Sequence, residues 1–235
     1  MPTNENQLKP KKVEESNYEA VLFDLDGTLI DTAPDFISSL NLLLAEENKA
    51  PLADDIIRKT VSHGARALVT LAFGLNEEDE RFGVLRDRLL TIYADNLSVK
   101  SRLFPGGDKL IATLEEKQLP WGIVTNKPSL YAIPLIRDLG LKCSSLICPD
   151  HVSHPKPHPE PLYLAASELQ VKSDKCLYVG DHLRDIESGR NAGMQTVAAL
   201  YGYIEDNEDP SSWKADFSIN SILEILPLLF PSLSK

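Results

Sequence analysis

Short, wholly apolar runs alternate with longer amphipathic stretches through most of this chain. Ala20-Val21-Leu22-Phe23 is the first run, ending at Asp24 and the turn-forming Gly27. From Leu103-Phe104-Pro105-Gly106 onward the alternation becomes regular. Strands are predicted at 121–125, 145–148, 176–180 and 194–199, each preceded by a helix, at 107–118, 130–139, 161–169 and 183–192. Unbroken apolar strands separated by amphipathic helices imply a parallel sheet buried on both faces. The predicted fold class is therefore α/β, a Rossmann-like, doubly wound parallel sheet.

The stretch after the first strand breaks this rhythm. Helices are predicted over 35–47, 52–61, 65–73 and 78–96, with Pro51 and Gly74 as punctuation and little strand propensity. An all-helical insertion thus follows the first strand. The expected organisation is a flexible lead over 1–17, an α/β core from 18–31 and 101–235, and the helical insertion over 32–100. A closing core helix is expected over 222–230, a run too short to span a bilayer and broken by Glu224 and Pro227.

In an open parallel sheet, ligands bind beyond the carboxyl ends of the strands. The chemically useful residues fall at those ends. Asp24 and Asp26 follow strand one, Thr125 and Asn126 close the next, Lys156 lies beyond the third, and Asp181 and Asp185 follow the fourth. In Asp24-Leu25-Asp26-Gly27-Thr28, period-two alternation can aim both carboxylates to one side. Two close carboxylates resist joint ionisation, which yields a nucleophile beside an acid. That pair meets the needs of phosphate-ester cleavage: one oxygen attacks phosphorus while a neighbour protonates the leaving alcohol.

Hard carboxylate oxygens suit Mg²⁺, with Asp181 as a third ligand and Asp185 behind it, directly or through water. Thr125 can donate to phosphoryl oxygens, as can the amides after it, and Lys156 can add positive charge. Lys156 sits in His154-Pro155-Lys156-Pro157-His158-Pro159-Glu160-Pro161, where four prolines stiffen the loop.

Composition narrows the partners. With 24 basic and 35 acidic residues the formal net charge is −11, which opposes binding to nucleic acid or to anionic membranes. A small phosphorylated substrate, itself an anion, then needs a cation at the site. Cys143, Cys148 and Cys176 form no CxxC pair and read as free thiols in a reducing compartment. The polar N-terminus lacks an apolar signal core, so a cytoplasmic monomer or homodimer is expected.

Asp24-Leu25-Asp26-Gly27-Thr28-Leu29, Thr125-Asn126-Lys127, Lys156-Pro157-His158-Pro159 and Gly180-Asp181-His182-Leu183-Arg184-Asp185 resemble, in order and spacing, the four motifs of the haloacid dehalogenase superfamily. The insertion looks like that family's helical cap. The resemblance implies Asp24 as nucleophile and Asp26 as general acid/base. It implies Thr125 and Lys156 as phosphate binders, and Mg²⁺ on Asp24, the Asp26 carbonyl and Asp181. Residue 182 is variable in the family, and His182 is read as a loop residue.

Within the superfamily the chain is similar to the phosphoglycolate phosphatase group and, more narrowly, to phosphatases of N-acetylmuramic acid 6-phosphate in bacterial cell-wall recycling. The stretches behind that likeness include Thr32-Ala33-Pro34-Asp35-Phe36, Gly64-Ala65-Arg66-Ala67 and Tyr201-Gly202-Tyr203-Ile204. The resemblance therefore implies hydrolysis of that sugar phosphate, with 2-phosphoglycolate as runner-up. A phosphomutase using the same phosphoaspartate, a dehalogenase and a non-catalytic binder are the rival classes.

In the insertion, Ser62-His63-Gly64-Ala65-Arg66 is the candidate specificity segment. The Arg66 fork suits the carboxylate that both candidate substrates carry, although a surface arginine fits equally. Arg184 and Arg190 are expected to pair with acids on their own helix. Zinc on His151, His154 and His158 is disfavoured, because the prolines between them oppose a shared face. No GxGxxG or GxxxxGK[ST] motif occurs, which argues against dinucleotide binding and ATPase chemistry.

Overall fold

The computed structural model describes Ser16 and residues 18–234; the predicted lead over 1–17 lies, but for Ser16, outside the described residues. After β1 (Ala20–Phe23) and β2 (Ile30–Asp31) come four helices: α1 (Ala33–Glu46), α2 (Asp54–Thr60), α3 (Gly64–Phe73) and α4 (Glu80–Asp95). The chain continues through β3 (Arg102–Leu103), α5 (Gly107–Glu116), β4 (Trp121–Val124), α6 (Ser129–Asp138) and β5 (Ser145–Ile147). It closes with α7 (Glu160–Glu168), β6 (Cys176–Gly180), α8 (Leu183–Asn191), β7 (Gln195–Ala199), β8 (Phe217–Ile219) and α9 (Ile225–Leu229).

Six strands form one sheet in the order β5-β4-β1-β6-β7-β8, and every pairing in it is parallel. The central strands β1, β4 and β6 bury both faces, and the period-two alternation sorts their residues. Val21 and Phe23 join one cluster with Ile123, Val179 and Val197, while Ala20 and Leu22 join the opposite one with Val124 and Tyr178. The order reverses beside β1, with β4 on one side and β6 on the other, so the switch point lies at Asp24.

The helical insertion has its own apolar centre. Leu40, Leu43 and Leu44 of α1 meet Leu85, Leu89 and Tyr93 of α4 at helical spacing, and Ile57 and Leu68 complete the cluster. Pro34 opens α1 inside its first turn, and the Asp79 side chain caps α4 by accepting from the Arg81 N–H at 2.9 Å.

Two features differ from the sequence reading. A sixth strand, β8, lies at the sheet edge, and β2 pairs with β3 in a two-residue antiparallel ribbon at the root of the insertion. The expected closing helix is a 3₁₀ turn at Ile222–Glu224 followed by the short α9, in which Pro227 removes an N–H. No helix among the described residues is long and apolar enough to cross a membrane. Cys148 and Cys176 are buried, Cys143 is half-buried, and all three are free.

Candidate active site

β1 ends by delivering Asp24 to the switch point, where its N–H donates to Val179 O at 2.8 Å. One carboxylate oxygen accepts from the Leu25 N–H at 2.7 Å and lies 2.8 Å from the Lys156 ammonium. Lys156 is enclosed: Nζ donates to Asp185 Oδ1 at 2.7 Å, Val124 O at 2.9 Å and Tyr178 Oη at 2.9 Å. Burial opposes its charge, but Asp185 and Asp24 outweigh that and raise its pKa, so it is a fixed cation.

Asp26 points to the same opening. Its Oδ1 accepts from Thr32 Oγ1 at 2.5 Å and from Lys127 Nζ at 2.9 Å. Lys127 also lies 5.0 Å and 4.8 Å from the ring centroids of Phe36 and Tyr93, both on helices of the insertion. Burial opposes its charge as well, and Asp26 and Tyr93 reverse that effect, raising its pKa.

Asp181 and Asp185 lie beneath. Asp181 Oδ1 accepts from Thr28 Oγ1 at 2.8 Å and Oδ2 from the Tyr203 N–H at 2.8 Å. The chain closes tightly around this acid. A Cβ on Gly27, whose φ is +83°, would stand 2.1 Å from Asp181 Oδ2, and one on Gly202 would stand 2.2 Å from Asp181 Cβ. Asp185 completes a capping box with His182 at the start of α8.

Oxygens of Asp24, Asp181 and Asp185 lie within 4.8 Å of one another. Burial, then the Asp24 and Asp185 charges, push Asp181 up to about 8. Burial raises Asp24 to about 6, against the pull of Lys156. Three crowded carboxylates facing one ammonium carry excess negative charge, and all their donors are hard oxygens. The set fits a small divalent cation such as Mg²⁺.

A cavity of about 480 Å³ opens above. Asp24, Asp26, Thr125, Asn126 and Lys156 form its floor with Lys127, and His63, Gly64 and Arg66 face them from the insertion. The candidate catalytic, phosphate-binding and insertion residues thus gather here, with Asp181 and Asp185 buried just below. Thr125 Oγ1 accepts from the Lys127 N–H at 3.0 Å, leaving its own hydrogen for another acceptor.

Several expectations need correction. The Asn126 side chain is bonded to the lysine loop, which the sequence reading did not foresee: Nδ2 donates to Lys156 O at 2.9 Å and Oδ1 accepts from Lys156 N at 3.2 Å. It positions the lysine loop. Arg184 and Arg190 make no ion pair among the described residues; they donate to Ser62 O at 2.6 Å and Trp213 O at 3.3 Å. Arg66 lines the cavity, but its Nη1 is held by Glu77 at 2.8 Å in an exposed pair.

His182 is more than a loop residue. It accepts from the Arg184 N–H at 3.1 Å and meets the His63 ring edge-on at 5.3 Å, and burial lowers it to about 4. His154 and His158 do share a face, with ring centroids 4.7 Å apart and both Nδ1 atoms turned to Glu160; His151 turns instead to the Cys148 N–H.

Two residues escaped the sequence reading. Lys127 was part of a quoted motif yet had no role. Tyr203 donates its hydroxyl to Asp31 at 2.7 Å while that oxygen accepts from the Ala33 N–H at 2.8 Å, joining the root of the insertion to Asp181.

Residues 21–199 match the family model for haloacid dehalogenase-like hydrolases. A Pseudomonas putida protein named N-acetylmuramic acid 6-phosphate phosphatase is 48% identical over 88% of this chain and 93% of its own. A Xanthomonas campestris pv. campestris protein named phosphoglycolate phosphatase is 41% identical over 84% of this chain and 90% of its own. The crystal structure of a predicted phosphoglycolate phosphatase from Haemophilus somnus shares the fold, with a TM-score of 0.80 at 24% identity over 94% of this chain and 99% of that one. This chain belongs to the haloacid dehalogenase-like hydrolase family.

Proposed function

We propose that the chain is a Mg²⁺-dependent phosphate monoester hydrolase working through an aspartyl phosphate on Asp24, and that its substrate is N-acetylmuramic acid 6-phosphate. The observation that carries the catalytic reading is the pairing of Asp24 with Lys156 and of Asp26 with Lys127 on one cavity floor. The two acids lie two residues apart, and each has its own lysine.

An Asp24 oxygen attacks phosphorus while Asp26 gives its proton to the leaving alcohol oxygen, forming the aspartyl phosphate. Asp26, now a carboxylate, takes a proton from water as that water attacks phosphorus. Inorganic phosphate leaves and Asp24 is regenerated. Thr125 donates a hydrogen bond to a phosphoryl oxygen, and Lys156 balances charge on Asp24 and the phosphoryl group. Lys127 and Thr32 hold the Asp26 carboxyl in place from one side.

Asp24, Asp181 and the Asp26 carbonyl would hold Mg²⁺, with Asp185 bound directly or through water. When present, the ion offsets the charge of the acids and of the substrate phosphate. Lys156 alone leaves that charge in excess.

The named substrate rests on the 48% identical relative and on cavity size. About 480 Å³ lies within the ~300–1,000 Å³ typical of sites that enclose a drug-sized ligand, and it exceeds what a two-carbon acid fills. 2-Phosphoglycolate is the second reading, favoured by the 41% identical relative. The test is kcat/KM measured with Mg²⁺ on N-acetylmuramic acid 6-phosphate, N-acetylglucosamine 6-phosphate and 2-phosphoglycolate. The first should lead by at least about tenfold. A lead for 2-phosphoglycolate would transfer the assignment to it.

A further inference from the structure

Three arginines reach the cavity wall, and two are already committed. Arg66 is bound to Glu77, and Arg86 to Asp87 at 2.7 Å. Arg184 has no carboxylate partner among the described residues. One nitrogen, Nη2, donates to Ser62 O of the insertion, and no protein acceptor meets Nε or Nη1 there. A half-buried arginine with most of its fork unspent stands out on a chain of net charge −11, where acids are plentiful.

Its place is equally specific. Arg184 lies in the first turn of α8, between Asp181 and Asp185 in sequence, and spans from the floor to Ser62 on the opposite wall. Beside it, His182 Nε2 is buried with no hydrogen-bond partner among the described residues. A substrate with its phosphate over Asp24 would present its far end to this wall. A second anionic group there needs a local cation against the surrounding acids, and a guanidinium fork matches a carboxylate with two parallel bonds.

We propose that Arg184, rather than Arg66, binds the substrate's carboxylate and so determines which phosphate esters the enzyme accepts. The inference rests on the phosphatase reading above, and not on which of the two candidate esters is the substrate. In N-acetylmuramic acid 6-phosphate the partner is the lactyl carboxylate; in 2-phosphoglycolate it is the acid itself.

The experiment uses two matched pairs. N-acetylmuramic acid 6-phosphate is compared with N-acetylglucosamine 6-phosphate, which lacks the lactyl acid, and 2-phosphoglycolate with an aryl phosphate. Arg184→Gln keeps a donor for Ser62 but removes the charge and the fork. For whichever acid ester wild type prefers, its kcat/KM should fall about ten- to hundredfold further than that of the acid-free partner, mainly through KM.

Arg184→Lys restores the charge without the fork, so it should lose less than Arg184→Gln. It also serves as the test variant if melting shows Arg184→Gln unfolded. Equal losses on both members of a pair would make Arg184 a tie between core and insertion, and would overturn the proposal. So would a wild type with no preference for either acid ester. A wild type releasing phosphate from none of the four would remove the phosphatase reading, and this proposal with it.

Discussion

Lys156 and Arg66 are long cations on opposite walls of one cavity, yet they are held in opposite ways. The Lys156 side chain is 1% exposed and meets four oxygens; that of Arg66 is 61% exposed and meets one carboxylate. Breaking a buried ion pair costs about 3–5 kcal/mol, whereas an exposed pair contributes about 0–1 kcal/mol. The floor is therefore over-determined and the facing wall adjustable. The proposed chemistry rests on the first, and Arg66 on the second is too loosely held to fix a substrate.

Breaking the floor should give the largest effects. Asp24→Asn should lower kcat by about 10⁴-fold or more in a phosphate-release assay, with a native circular dichroism spectrum. Substantial residual turnover would remove the proposed nucleophile. Lys156→Ala leaves Asp24 and Asp185 without their cation, so urea unfolding of the metal-free protein should report a loss of about 3–5 kcal/mol. Lys127→Met should lower kcat about 10²-fold with little change in KM, since it disturbs the proton donor and not the phosphate contacts.

Protons and metal sharpen the same contrast. Asp24 and Asp181 hold their protons more tightly folded, near 6 and 8, than at their ordinary value of 3.8. The native metal-free state then binds more protons than the unfolded chain across that window, so these two acids cost stability as pH rises from about 4 to 8. Melting of the metal-free protein should show this loss, and Asp181→Asn should flatten it. Mg²⁺ should raise the melting temperature more at pH 8 than at pH 5. Arg66→Ala should have the smallest effect, under about threefold in kcat/KM on any ester.

Much of the fold was legible because β1, β4 and β6 are short apolar runs closed by a polar residue or a glycine, and β5 and β7 carry shorter apolar runs after amphipathic helices. β8 was not, since Phe217-Ser218-Ile219 offers three residues with only alternate ones apolar. The acids were readable because a parallel sheet puts strand ends on one rim. Lys127 was not, because a lysine after a strand resembles any solvated one; its role needs Phe36 and Tyr93, which arrive from the insertion. The tie between the Asn126 side chain and the Lys156 backbone was not readable, because 30 residues separate them in sequence. Arg184 has Asp185 as its neighbour in the chain, but that acid turns inward to Lys156.

The ribbon at the root of the insertion has a structural consequence. Ile30 pairs with Leu103 and Asp31 with Arg102, so the chain departs from the core and returns to it side by side. Both chain crossings of the four-helix insertion thus lie on one edge, while contacts of Arg184 with Ser62 and of Lys59 with Asp206 join it to the core elsewhere. Tyr203 grips that edge at Asp31 and Ala33 while its own peptide N–H holds Asp181. One tyrosine thus links the root of the insertion to the acid on which the cation would rest.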